Sequence, residues 1–229
     1  MPRPEAVLWD WDNTLVDAWA GIAAALNVVL AAYDMPAWTL EQARARIRGS
    51  VRDTFPDMFG PDWRRAADML QAAMQAGHLD HLRPMPGAGA ALDQAAGLKL
   101  AVVSNKEGRI LRREVAHLGW TGRFGAIVGA GDAAADKPHP APVWYALAAI
   151  GVKPGRKVWY VGDTGSDMLA ARAAGCTAVL VGDASHDGGL GALEDIGAAP
   201  HLHCRDAMAF ASLLSAGSSA LAGGEVRTD

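Results

Sequence analysis

Residues 6–17 read AVLWDWDNTLVD: four apolar side chains, then Asp10 and Asp12 on either side of Trp11, then Asn13, Thr14 and a short apolar pair. Four apolar residues are too few for a helix, and an apolar run this short that stops at acidic and turn-forming residues reads as a strand buried on both faces. The same pattern recurs at Leu98–Val103, Ala126–Val128, Val158–Val161 and Ala178–Val181, each run followed by Asp, Ser or Gly. Helical patterns of suitable length separate the later runs, around Arg109–Leu118, Ala141–Ile150 and Asp167–Ala174. Repeated βαβ units of this kind build a parallel sheet with helices on both faces, so the fold class is α/β with a doubly wound, Rossmann-like core.

Between residues 18 and 83 the periodicity changes. Trp19, Ile22, Leu26, Val29 and Tyr33 form one stripe at helical spacing, and Trp63, Ala67, Leu70 and Met74 form another. This predicts an all-helical insertion that opens after the first strand and closes at Arg83-Pro84-Met85-Pro86-Gly87, where two prolines and a glycine suit a hinge. The expected division is a catalytic core of residues 1–17 and 84–215, a helical cap of residues 18–83, and a tail over 216–229 whose Gly, Ser and Ala have little to bury and read as disordered.

The remaining composition narrows the function by exclusion. A formal net charge of −4 offers no basic surface to a nucleic acid backbone. The N-terminus reaches acidic residues before any apolar run of signal-peptide length, and no stretch of eighteen apolar residues occurs, so neither a targeting nor a membrane segment is expected. Two cysteines, Cys176 and Cys204, do not make the disulfide framework of a small secreted domain and fit a reducing cytoplasm.

In open α/β sheets ligands bind beyond the carboxyl ends of the strands. Those ends carry Asp10, Asp12 and Thr14, then Ser104 and Asn105, then Asp163 and Asp167, with Lys137 in the loop beyond the third strand. Any one of these is an ordinary turn or cap residue, and Asn105-Lys106 reads equally as a helix start. Four polar clusters at four strand ends are not ordinary. The histidines and cysteines form no metal-ligand spacing.

At this point the chain resembles the haloacid dehalogenase superfamily of phosphohydrolases, and within it the phosphoglycolate-phosphatase-like branch with a helical cap after the first motif. The resemblance runs from Val7 to Gly182 on four motifs in order: Asp10-Trp11-Asp12-Asn13-Thr14, Val103-Ser104-Asn105-Lys106, Asp136-Lys137-Pro138, and Gly162-Asp163-Thr164-Gly165-Ser166-Asp167. It departs from the family at Asn13, where Gly is usual. Asn tolerates positive φ better than most residues, so the loop need not break.

The resemblance implies a Mg²⁺-dependent phosphatase of a small phosphorylated metabolite. Asp10 would attack phosphorus and carry the phosphoryl group, and Asp12 would protonate the leaving oxygen and then activate water. Mg²⁺ would sit on Asp10, the Asp12 carbonyl, Asp163 and Asp167. Thr14, Ser104 and Asn105 are expected at the phosphoryl group, and Lys137 supplies a cation. Two carboxylates about 4 Å apart repel by roughly 4 kcal/mol at an effective dielectric of 20, so four acids on one rim require that compensation.

Arg48, in the glycine-terminated bend Arg46-Ile47-Arg48-Gly49-Ser50, is a candidate for gripping a second anionic group of the substrate. Asp12 argues against a dehalogenase, since a halide leaves without protonation, and a lysine-free insertion excludes a cap Schiff base. A sugar-phosphate mutase keeps every core motif and is the enzymatic alternative. A non-catalytic phospho-ligand binder is the alternative of another class.

Overall fold

The computed structural model describes residues 3–47, 51–77 and 79–222. Along the chain β1 (Ala6–Trp9) is followed by α1 (Trp19–Ala32), α2 (Leu40–Arg46), α3 (Val51–Phe59) and α4 (Trp63–Gly77). Then come α5 (Ala88–Gln94), β2 (Lys99–Glu107), α6 (Gly108–His117), β3 (Ala126–Ala130), α7 (Ala141–Ala149) and β4 (Val158–Gly162). The chain continues through α8 (Gly165–Ala173), β5 (Thr177–Val181), α9 (Gly189–Asp195), β6 (Leu202–Cys204) and α10 (Ala207–Ala222). These elements fall into two compact units, one of Met1–Leu15 with Pro84–Asp229, the other of Val16–Arg83.

The first unit is a six-stranded sheet of order β3-β2-β1-β4-β5-β6 in which every neighbouring pair is parallel. The chain winds outward from β1 to β3 and then returns to lie on β1's other side as β4, so β1 and β4 flank the topological switch point where such sheets bind ligands. The central strands are buried on both faces: Ala6, Val7 and Leu8 are inaccessible, as are Val158, Tyr160 and Val161. One face packs Leu8, Val103, Tyr160 and Leu180 against Val143 and Leu147 of α7 and Met168 of α8. On the other, Trp9 meets Phe210 of α10 edge to face, with ring centroids 5.0 Å apart.

Three elements differ from the sequence reading. β2 runs on to Glu107, carrying Ser104, Asn105 and Lys106 inside the strand, because it keeps pairing with β3 across a register shift between Val103 and Glu107. A bulge of this kind re-aims side chains at a strand end. The helix-start reading of Asn105-Lys106 is therefore corrected: α6 begins at Gly108 after Glu107, which makes no side-chain cap bond. Helix α10 continues to Ala222, so 216–222 is helical where disorder was expected. Buried Phe210, Ala211 and Leu214 anchor the helix, and its last turns extend from that nucleus although Gly217, Ser218 and Ser219 are weak helix formers.

The second unit is all-helical. Its core is Leu26, Val29, Leu30, Phe55, Phe59, Ala66 and Leu70 with smaller neighbours, and Phe59 packs on both Tyr33 and Phe55 with ring centroids 4.9 Å apart. The α4 stripe faces this core, with Leu70 in it and Trp63 and Ala67 packed against it, joined by Ala66, and only Met74 is exposed. The Thr39 hydroxyl and the Gln42 side chain form a reciprocal capping box at the start of α2. Arg48 lies outside the described residues.

Candidate active site

Asp10 follows β1 directly, and its backbone N–H donates to the Val161 carbonyl of β4 at 2.8 Å, tying the first acid to the switch point. Asp163 and Asp167 follow β4 and open α8. Among the described residues Asp10, Asp163 and Asp167 form the one group of carboxylates placed to hold a metal ion, with an oxygen of each within 4.8 Å of the others and all three buried. Asn13 adopts φ 58°, the left-handed conformation that the usual glycine of this loop would take, so its substitution leaves the turn intact.

Lys137 balances part of this charge. Its ammonium donates to Asp10 Oδ1 and Asp167 Oδ1, both at 2.6 Å, and the side chain is almost wholly buried. Burial works against the charged ammonium, but the Asp10 and Asp167 carboxylates outweigh it and hold the Lys137 pKa well above its usual value. Burial pushes the Asp10 carboxyl up to about 7 against the opposing pull of Lys137. Asp163 is raised well above the usual carboxylate range, first by burial and then by repulsion from Asp10 and Asp167. Buried, mutually repelling oxygen donors of this type suit a small hard divalent cation, which would relieve both the burial and the repulsion.

The three side chains expected at the phosphoryl group have partners within the protein. Thr14 donates its hydroxyl to Asp163 Oδ1 at 3.0 Å, orienting a carboxylate. Asn105 clamps the backbone of Lys137: its amide donates to the Lys137 carbonyl at 2.9 Å, and its oxygen accepts from the Lys137 N–H at 3.0 Å. The lysine is thus held at both ends, backbone and ammonium. Ser104 is buried, and its hydroxyl oxygen accepts from the Lys106 N–H at 3.2 Å, which leaves its own proton to donate.

Asp167 is both a cap and a site residue. One oxygen accepts from the Thr164 N–H and hydroxyl at the start of α8, and the other from Lys137 and the Tyr160 hydroxyl. Such closeness requires Gly162, since a Cβ there would lie 2.4 Å from Asp167 Cγ. Asp12 stands outside the metal-type cluster: its Oδ1 accepts from Lys106 Nζ at 2.7 Å. Lys106 and its second partner, Glu114, were missed in the sequence. The only signal was an acid among apolar residues on α6, where Leu111 and Val115 are buried beside Glu114.

The profile of the haloacid dehalogenase-like hydrolases matches residues 7–181. The chain belongs to that family. Among curated relatives it is 34% identical over 199 residues to a phosphoglycolate phosphatase of Xylella fastidiosa, covering 80% of this chain and 83% of that one. It is 30% identical over 189 residues to a phosphoglycolate phosphatase of Chromobacterium violaceum, covering 78% and 85%. Among solved structures it is similar to a superfamily hydrolase from Ehrlichia chaffeensis, with a TM-score of 0.66 and 26% identity over 95% of this chain and 99% of that one. A subfamily IA hydrolase from Geobacter sulfurreducens shares the fold with a TM-score of 0.73 at 22% identity, over 92% and 96%. The family is one of hydrolases, and the chain is an enzyme of that class. Among the described residues no helix is long and apolar enough to cross a membrane.

Proposed function

We propose that this hydrolase is a Mg²⁺-dependent phosphatase of a small phosphorylated metabolite, with phosphoglycolate as the first candidate. The observation that carries the reading is the buried Asp10, Asp163 and Asp167 cluster bridged by Lys137 at the switch point of the sheet. The phosphoglycolate phosphatases at 34% and 30% identity support the choice of substrate. Asp10, the Asp12 carbonyl, Asp163 and Asp167 would hold Mg²⁺, which supplies charge stabilisation to the phosphoryl oxygens when bound.

In this mechanism an Asp10 carboxylate oxygen forms a bond to phosphorus in line with the ester oxygen. The ester P–O bond breaks, its electron pair goes to the leaving oxygen, and that oxygen takes the proton of the Asp12 carboxyl. Burial raises the Asp12 pKa against the pull of Lys106, which favours a proton there before the reaction. In the second step Asp12 accepts a proton from water as the water oxygen bonds to phosphorus, and the Asp10–phosphorus bond breaks with its electrons returning to Asp10. Lys137 stabilises the ionised Asp10 before attack and again as the Asp10–phosphorus bond breaks. Ser104 donates to a phosphoryl oxygen, where the transition state gathers charge. In the same reading the helical unit selects the substrate, Arg48 grips its second anionic group, and the free, buried Cys176 and Cys204 support a cytoplasmic setting.

Release of inorganic phosphate from a panel of phosphorylated metabolites, with Mg²⁺ and after chelation, tests the reading. Magnesium-dependent release from phosphoglycolate is expected. Phosphate transfer within a sugar phosphate without release would favour the mutase, and binding without turnover would overturn the enzymatic role.

A further inference from the structure

One polar network beside the site has no part in the steps above. Lys106 Nζ donates to Asp12 Oδ1 at 2.7 Å and to Glu114 Oε2 at 2.7 Å, and the Trp11 indole N–H donates to the same Glu114 oxygen at 2.6 Å. Glu114 comes from α6, Lys106 from the bulged end of β2, and Trp11 is the residue between the two acids of the first motif. The glutamate and the indole are inaccessible to solvent, and Lys106 is largely covered.

Fold stability does not explain this arrangement. An apolar residue at 114 would extend the buried Leu111 and Val115 stripe of α6 at no desolvation cost, whereas a buried ion pair is roughly neutral or unfavourable against a well-packed hydrophobic replacement. The network does, however, converge on Asp12. The Asp12 side chain is 30% exposed, and the largely covered Lys106 side chain of β2 grips its Oδ1.

We propose that Lys106, anchored by Glu114 and the Trp11 indole, is a positioning residue that fixes the Asp12 carboxyl for proton transfer to the leaving group. The proposal rests on the phosphatase reading above. An ammonium donating to Oδ1 makes that oxygen an acceptor, so the transferable proton sits on Oδ2. In the first step that proton passes from Oδ2 to the ester oxygen as the P–O bond breaks and its electron pair moves to oxygen. Glu114 balances the charge of Lys106, which then orients Asp12 without leaving an unbalanced cation beside it. Trp11 ties the same glutamate to the backbone of the nucleophile loop, so Asp10 and Asp12 share one frame.

The test uses the full chain with Mg²⁺, phosphoglycolate as an alkyl substrate and p-nitrophenyl phosphate as an aryl one. Wild-type protein is assayed first: if it releases phosphate from neither, the phosphatase reading falls, and the positioning role falls with it. Given wild-type turnover, Lys106→Met should lower kcat on phosphoglycolate by roughly 10- to 100-fold, part of the ~10²–10⁴-fold that general acid–base catalysis supplies. KM should stay within about twofold, the characteristic of an interaction used only in the transition state. The aryl substrate, whose leaving group needs less protonation, should lose less, and Lys106→Arg should restore most of the rate. In an Asp12→Asn background Lys106→Met should leave residual aryl phosphate turnover unchanged, since a residue acting through Asp12 has nothing left to act on. Glu114→Gln should follow Lys106→Met, and the partly exposed Lys106 site keeps the test open if the buried glutamine variant does not fold. A raised KM with kcat intact, equal losses on both substrates, or a further loss in the Asp12→Asn background would overturn the positioning role.

Discussion

The two units use one device for different ends. In the helical unit the Asn27 side chain accepts from the Trp38 N–H at 2.8 Å and donates to the Trp38 carbonyl at 2.9 Å, fixing the connection between α1 and α2. In the α/β unit Asn105 clamps Lys137 in the same way, and the clamped residue sends its ammonium into a pair of buried carboxylates. All seven buried polar or charged side chains among the described residues lie in the α/β unit. The helical unit's core is apolar throughout, and its ion pair of Arg44 with Asp17, at 3.3 Å, is solvent-exposed and contributes little. Charge is concentrated where chemistry needs it and tolerated only through counter-charge. The helical unit is held by packing, which leaves its surface free to carry specificity.

The sharpest way to break that contrast is Asp10→Asn. Turnover should fall by on the order of 10⁴-fold or more, as for loss of a nucleophile, while the fold is retained. Measurable steady-state turnover by pure variant protein would remove the nucleophile assignment. Lys137→Met should follow in size, because it strands buried Asp10 and Asp167 without their cation. A loss of about 3–5 kcal/mol in denaturant unfolding is expected, together with loss of activity. Unchanged stability would mean that the acids are not charge-balanced by this lysine.

On the helical side the expected effect is smaller and selective. Arg48→Ala should lower kcat/KM on an anionic substrate by ~1.5–3 kcal/mol while sparing a neutral aryl phosphate. Equal losses on both would discard specificity as the helical unit's role in this reading.

Smallest is a pH effect on the metal-free protein. The Asp10 carboxyl ionises near its ordinary value when unfolded but at about 7 when folded, so between these values the folded state holds the extra proton. Stability from this group therefore declines as pH rises from about 4 to about 7 and is flat above. A fall in Tm across that window is expected by thermal melts, and Mg²⁺ should raise Tm more at pH 8 than at pH 5. Asp10→Asn should reduce the slope, the raised Asp163 and Asp12 carboxyls supplying the remainder, and a slope unchanged by the substitution would place its origin elsewhere.

Legibility in the sequence followed the range of the interactions. The Asp10 strand could be read because an apolar run and the acid that ends it are adjacent, and Asp163 and Lys137 because each sits at a strand end or in the loop beyond one. Asn13 was legible because its left-handed conformation is a property of one residue and its neighbours. The extension of β2 through Ser104–Glu107 was not, since it depends on pairing with β3, and the exposure of Met74 at the end of the α4 stripe depends on how far the neighbouring helices reach.

By itself the sequence determined the doubly wound core, the all-helical character of the segment inserted after β1, and which side chains stand at the strand ends, because periodicity and local backbone preference are written in neighbouring residues. Only the tertiary structure decided what those side chains touch. Asn105 meets the Lys137 backbone across 32 positions, Lys106 meets Asp12 across 94 and Trp11 meets Glu114 across 103. Donors and acceptors so far apart in the chain become partners only when parallel pairing aligns the ends of β1, β2 and β3. A charge in that dry rim must then find its opposite within hydrogen-bond distance or carry the full cost of burial.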